Sequence, residues 1–191
     1  MKHITLAAAL VLALGAAGTA SAASSAGGTI TFTGVINDLT CTVKGGAGTD
    51  GGTGNFAVAL DPIYASDLAA AGDIAAPKVF DVIIGGPGQG TCEDGKIASM
   101  SFLTSSPQID AVTGALKNVL VGEATNAQIQ LADDAGTAIN LATPGQQWDA
   151  TIGSAGPNTA TLRFQAQYLA VNGPATPGLV STNVVYAVAY N

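Results

Sequence analysis

Hydrophobic and polar residues alternate in short runs along most of this chain, and clusters of Gly, Pro, Asn and Asp separate the runs. Thr29, Thr31 and Thr33 interleave with Ile30, Phe32 and Gly34, and β-branched or aromatic residues at period two read as a strand. Residues 35–43 continue as a second extended stretch, and Phe56, Val58 and Leu60 alternate after it. Residues 79–84 form an apolar strand candidate ended by Gly85-Gly86-Pro87-Gly88, and 100–103 form another. In 126–132, Ile129 and Leu131 alternate with Gln128 and Gln130. Asp133-Asp134-Ala135-Gly136 then predicts a tight turn into 138–141, which reads as a hairpin. Residues 162–169 alternate cleanly, and 183–191 alternate to the last residue. Helical periodicity is scarce, with one short helical turn expected over 68–71 after Pro62. Residues 45–54 read as a Gly-rich loop. Short strands with this punctuation predict an all-β domain, a sandwich or a barrel.

The last predicted strand is unusual. Val184, Tyr186, Val188 and Tyr190 share one face, and Val185, Ala187 and Ala189 share the other. A strand apolar on both faces belongs inside a sheet. No strand follows it in the sequence, and an uncovered apolar edge invites aggregation. A strand from another chain would resolve the conflict. Residues 23–34 are a candidate, because they are uncharged and extended in pattern, with Ile30 and Phe32 on one side. Each of those side chains would contribute ~1.5–3 kcal/mol on entering an apolar pocket. The same segment folding back onto its own domain is the alternative.

The start of the chain changes the compartment. Met1-Lys2-His3 is a short basic start, 6–17 is apolar, and Ala20-Ser21-Ala22 offers small residues to a signal peptidase. This is the layout of a secretory signal peptide, and its apolar run is well short of the ~20 residues of a membrane anchor. Cleavage is expected after Ala22, or after Ala23. The remaining chain suits one domain able to bury its own core. The net charge of −7 becomes about −8 without Lys2, and so few basic residues argue against nucleic acid and anionic membranes as partners.

Cys41 and Cys92 are the two cysteines, and in an oxidising compartment the simplest reading is one disulfide. A metal site or a catalytic thiol are the rivals. The single histidine, His3, leaves with the signal peptide, which removes Cys-His and Ser-His catalysis and the usual zinc ligand. No cofactor is expected. The Gly-rich loop lacks the Lys-Ser/Thr and helix of a phosphate cradle. Asp133, Asp134 and Asp149 lack the spacing of an EF-hand, and Asp-Asp-x-Gly is ordinary turn chemistry.

Several segments resemble the major subunits of chaperone–usher fimbriae, the type-1-like pilins. Gly27-Gly28-Thr29-Ile30-Thr31-Phe32-Thr33-Gly34-Val35-Ile36, followed by Cys41, resembles the family's donor segment and first strand. Leu60, Pro62, Ile63, Leu68 and Phe80 resemble its middle region, and Ala127 to Leu131 with the Gly136 turn a later strand pair. Leu162 to Tyr168 and Pro174-Ala175-Thr176-Pro177-Gly178 match best, and the family's penultimate Tyr and its Gly fourteen places from the end are Tyr190 and Gly178. Two departures stand out. The cysteines are 51 positions apart, wider than is usual in the family, with Gly-rich insertions at 45–54 and 85–90, and Gln167 stands where a basic residue is common.

The resemblance implies an incomplete immunoglobulin-like β-sandwich lacking its last strand, completed by a neighbour. Donor-strand complementation among pilins is an established form of β-augmentation. By resemblance, 1–22 is the cleaved signal, 23–36 the donor extension and 37–191 the pilin domain. Gly28 resembles the small donor residue that leaves one pocket open, Ile30 and Phe32 the pocket-filling residues, and Gly34 the small residue ending the run. Gly178, Val184, Tyr186, Val188 and Tyr190 resemble the acceptor groove and the strand that pairs with a periplasmic pilus chaperone. The implied partners are neighbouring pilin subunits in a homopolymer, that chaperone and an outer-membrane usher. The implied function is a structural subunit of an adhesive surface fimbria. A minor adaptor or adhesive subunit is the alternative, and an exported hydrolase using paired carboxylates is a remote one.

Overall fold

A computed structural model of the chain describes residues 41–191. The donor-segment expectations at Gly28, Ile30, Phe32 and Gly34, and the signal peptide, lie outside the described residues.

Among the described residues, eight strands form two antiparallel sheets. They are β1 (Val43–Gly45), β2 (Ile74–Gly85), β3 (Ile97–Phe102), β4 (Leu116–Lys117), β5 (Ala127–Asp133), β6 (Trp148–Thr151), β7 (Thr159–Ala170) and β8 (Tyr186–Tyr190). One sheet runs β1-β2-β7-β5-β4, and the other runs β6-β3-β8. The all-β sandwich expectation is met. Helix is confined, among the described residues, to a 3-10 turn over Ala65–Leu68, slightly before the expected 68–71, with Asp67 accepting from the Tyr64 amide at 2.9 Å.

β2 and β7 are the central pair, in register from Lys78↔Ala166 to Gly85↔Thr159. Their inward residues Phe80, Val82, Ile84, Leu162, Phe164 and Ala166 are buried and meet Ala98 and Met100 of β3. Phe164 joins the sheets, with its ring 5.8 Å from Phe80, 5.4 Å from Phe102 and 5.6 Å from Trp148. On the outer face Asp81 and Arg163 stand opposite each other and pair at 2.8 Å.

β2 extends further back than the sequence pattern suggests. Its first residues pair with β7 across a bulge between Ala75 and Lys78, where Ala76 has a φ of 48° and Pro77 has no amide to donate. Three further differences have physical reasons. The turn at 133–136 forms, with Gly136 donating to Asp133 at 2.9 Å, but the return arm is held by a single bridge, Ala132↔Ala138, and is not a strand. β6 was not expected, since only Trp148 and Ala150 point inward, too few positions to set a period. Residues 56–60 alternate inward and outward as expected, yet belong to no sheet.

Cys41 and Cys92 form the expected disulfide, with Cα atoms 5.0 Å apart. The join is reinforced next to it: Gln89 Nε2 donates to Thr42 Oγ1 at 2.8 Å, and the Thr42 amide donates to Gln89 Oε1 at 3.1 Å. Gly85, at φ +79°, lies so close that a Cβ there would stand 2.6 Å from Cys92 Sγ. That Cβ would also stand 2.1 Å from the Asn158 main-chain oxygen, so this position admits only glycine.

Candidate functional site

The groove is built from two extended segments that lie outside the sheets. The first wall is 54–60. Its top is fixed by Gly54 donating to Val43 O at 2.8 Å, and its foot lies near the exposed Asp61–Lys78 ion pair at 3.1 Å. Phe56, Val58 and Leu60 turn inward, while Ala57 and Ala59 face solvent. The second wall is 180–186, leading into β8. Val180, Thr182, Val184 and Tyr186 turn inward, and Ser181, Asn183 and Val185 are exposed.

Between the walls lies an open groove of about 570 Å³. Its floor is the hydrophobic core itself, with Phe80, Leu131 and Ala166 from one sheet and Met100 and Phe102 from the other. The apolar interior thus reaches the surface between the two sheets.

Main-chain hydrogen bonding gives the same picture. On the second wall, Val185 O accepts from Leu103 at 2.8 Å, Ser181 O accepts from Val119 at 2.9 Å, and the Ser181 amide donates to Asn118 Oδ1 at 3.0 Å. Val180, Thr182 and Val184 make no main-chain hydrogen bond among the described residues. On the first wall, Ala57 exchanges both its groups with Asp50, and Phe56, Val58 and Leu60 make none among the described residues. Alternate residues of a strand direct their main-chain groups to opposite edges. Among the described residues, each wall is thus bonded to the body along one edge only. The Thr182 hydroxyl is also buried, with no partner among the described residues.

The walls touch at one end. The Phe56 and Tyr186 rings lie 5.8 Å apart, and Tyr186 Oη donates to Gly54 O. Beyond that bridge, Tyr190 Oη donates to Cys41 O at 3.3 Å. Burial raises the pKa of both phenols above the usual tyrosine range, and Tyr186 beside it raises that of Tyr190 further.

The predicted site residues divide into three groups. Val184 and Tyr186 line the groove. Val188 and Tyr190 lie on β8, pair with Met100 and Ala98 of β3, and pack on the core beyond the bridge. Gly178 lies outside the groove lining, in the loop leading to Val180. There its φ of +153° and a would-be Cβ 2.3 Å from Ala124 N admit only glycine. Sequence reasoning missed the first wall and the Val180–Thr182 part of the second. The alternation of Phe56, Val58 and Leu60 was the available signal. Among the described residues no cluster of His, Cys, Asp and Glu could hold a metal ion.

Comparison with known proteins agrees with this geometry. The family model for type-1 fimbrial protein A matches residues 60–191. The chain is similar to the major fimbrial subunit SMF-1 of Stenotrophomonas maltophilia, at 34% identity over 89% of this chain and 96% of that protein. It is also similar to the F17 fimbrial protein of Escherichia coli, at 30% identity over 94% of this chain and 96% of the relative. Among solved structures, the type I fimbria protein BPSL1626 of Burkholderia pseudomallei shares the fold at TM-score 0.53 and 22% identity, over 79% of this chain and all of that one. The P pilus rod subunit PapA shares it at TM-score 0.51 and 18% identity, over 85% of this chain and all of that one. The incomplete sandwich with its open groove is thus the immunoglobulin-like fold of pilin subunits, and the chain belongs to the type-1 fimbrial protein family, as a structural subunit of a cell-surface fimbria that polymerises with other pilin subunits.

Proposed function

We propose that this chain is a shaft subunit, without catalytic activity, that assembles by accepting the N-terminal strand of a neighbouring copy between its two walls. One observation carries the reading: among the described residues, the inward residues of both walls, Tyr186 apart, make no main-chain hydrogen bond, and they face a groove whose floor is core. An added strand would satisfy those main-chain groups and cover Phe80, Met100 and Phe102. Residues 28–34 fit the role by sequence. They are seven residues, as many as 54–60 and 180–186 each contain, with Gly28, Ile30, Phe32 and Gly34 on one face.

On this reading, residues 1–22 direct export, 23–36 are the donor extension and 37–191 the pilin domain. The subunit travels through the periplasm with its groove covered by a pilus chaperone and is released at an outer-membrane usher. The test uses the mature subunit and a peptide of residues 23–36. The peptide is expected to raise the melting temperature, and a subunit lacking 23–34 is expected to remain chaperone-bound and unable to extend a fibre. Ordinary fibres from that truncation, seen by electron microscopy, would refute the mechanism.

A further inference from the structure

The groove is closed at one end and open at the other. The Tyr186–Phe56 contact and the Tyr186–Gly54 hydrogen bond join the walls at the first end. The other end lies at Val180 on one wall and Leu60 on the other. A donor strand has its own subunit's body attached to its C-terminal end, because residues 23–36 precede 37–191. That body has to leave through the open end. On the strand-accepting reading, Gly34 of the neighbour would lie toward Val180, and Gly28 toward the Tyr186 bridge.

At the open end the surface is apolar. Val121 is 99% exposed, Leu179 66%, Val119 40% and Leu120 36%. These residues belong to one surface. Asn118 Nδ2 donates to Leu179 O at 2.9 Å and to Ala124 O at 3.0 Å, and Val119 donates to Ser181 O at 2.9 Å. The loop 118–124 is thereby stitched to the start of the second groove wall. Glu123 holds the Leu179 amide at 2.8 Å, so a carboxylate stands beside the apolar residues. An apolar centre beside polar groups is the composition of a protein contact, and exposed aliphatic residues held in place by so many hydrogen bonds call for a partner.

We propose that Val119, Leu120, Val121 and Leu179 form a docking surface for the body of the neighbouring subunit whose strand fills the groove. The occupant is a second copy of this chain. Its position follows from continuity: the strand leaves the groove at Val180, one residue from Leu179, so the body it belongs to emerges beside the patch. The docking surface rests on the strand-accepting reading above. It adds a second contact to the joint between subunits and makes that joint stiffer than a tethered strand alone.

The test separates the two ideas. Val121→Lys and Leu179→Ser alter exposed side chains outside the groove lining. Each variant is first assayed with the peptide of residues 23–36, which occupies the groove and brings no subunit body. The shift in melting temperature is expected to match that of the unaltered subunit. Fibres are then assembled from each variant, and their dissociation in denaturant is followed. Dissociation about tenfold faster than for unaltered fibres is expected, the scale of losing one interface anchor. An unchanged peptide shift with unchanged fibre dissociation overturns the docking surface and leaves the strand reading standing. A peptide that stabilises neither the variants nor the unaltered subunit overturns both.

Discussion

Tyr186 donates its phenol hydrogen to the main-chain oxygen of Gly54, which lies 132 positions earlier in the chain. This bond, with the Phe56 ring beside it, joins the last strand to the segment after the Gly-rich loop. It defines the end of the groove. Tyr186→Phe keeps the ring contact and removes the bond, at a cost of about 1 kcal/mol. Tyr186→Ala removes both and is expected to cost more. Chemical denaturation of the mature subunit measures the difference, and equal loss in the two variants would show that the hydroxyl alone holds the end.

The disulfide between Cys41 and Cys92 closes a loop of 51 positions and ties the first described residues to the loop between β2 and β3. In the chain-entropy account a loop of that length contributes about 4 kcal/mol, by restricting the unfolded chain. Reduction with dithiothreitol is expected to lower the melting temperature sharply. Mass spectrometry without reductant should find the pair linked.

Phe164 is wholly buried and touches aromatic residues from β2, β3 and β6. Phe164→Ala is expected to cost about 3–5 kcal/mol. Because the floor of the groove is made of the same core, the variant should also lose its response to the donor peptide. Denaturant titration with and without peptide reads both effects. A large stability loss with a normal peptide response would show that the groove keeps its shape without Phe164.

Alkaline pH acts through Tyr190. Burial, then the neighbouring Tyr186, raises the pKa of its phenol above the ordinary 10.0. The folded-state value is thus higher than the unfolded one. The stability tied to the neutral phenol is present below pH ~10 and is lost as pH rises through the raised value. Ionisation also removes the hydrogen that Tyr190 donates to Cys41 O. Tyr190→Phe is expected to lower stability at neutral pH by about 1 kcal/mol and to flatten part of the alkaline fall. Stability measured from pH 8 to 11 tests this, and an alkaline fall as steep as in the unaltered chain would count against it.

The sequence pattern identified faces better than partners. Ile129 and Leu131, and Leu162, Phe164 and Ala166, were legible as inward residues because alternation records burial directly. Phe56, Val58 and Leu60 alternate in the same way, yet they bound a groove and belong to no sheet. Side-chain period says which way a residue points and nothing about which strand, if any, bonds to it. The two walls, distant in sequence and alike in pattern, become one site only once β2, β3 and β7 bring them together. The terminal strand was read as a single unit, but the Tyr186 bridge divides it. Val184 and Tyr186 line the groove, whereas Val188 and Tyr190, half-buried like them, pack against the core beyond the bridge.

Gly178 shows how a residue outside the groove lining governs the groove. It was singled out by family resemblance alone, and its role is local. At φ +153° its α-carbon passes so close to the Glu123–Ala124 peptide that a methyl group there would stand 2.3 Å from Ala124 N. That close approach lets Ala124 donate to Leu179 O and Glu123 receive the Leu179 amide. Those bonds place Val180, the first inward residue of the second wall. Gly178→Ala must either strain the backbone or push the two segments apart, and such strain costs about 1–3 kcal/mol. Lower stability together with a smaller peptide-induced shift in melting temperature is therefore expected. Gly51, also at positive φ but with open space around its α-carbon, serves as the control for conformational cost alone. If Gly51→Ala and Gly178→Ala weaken the peptide response equally, the approach to Ala124 does not set the wall.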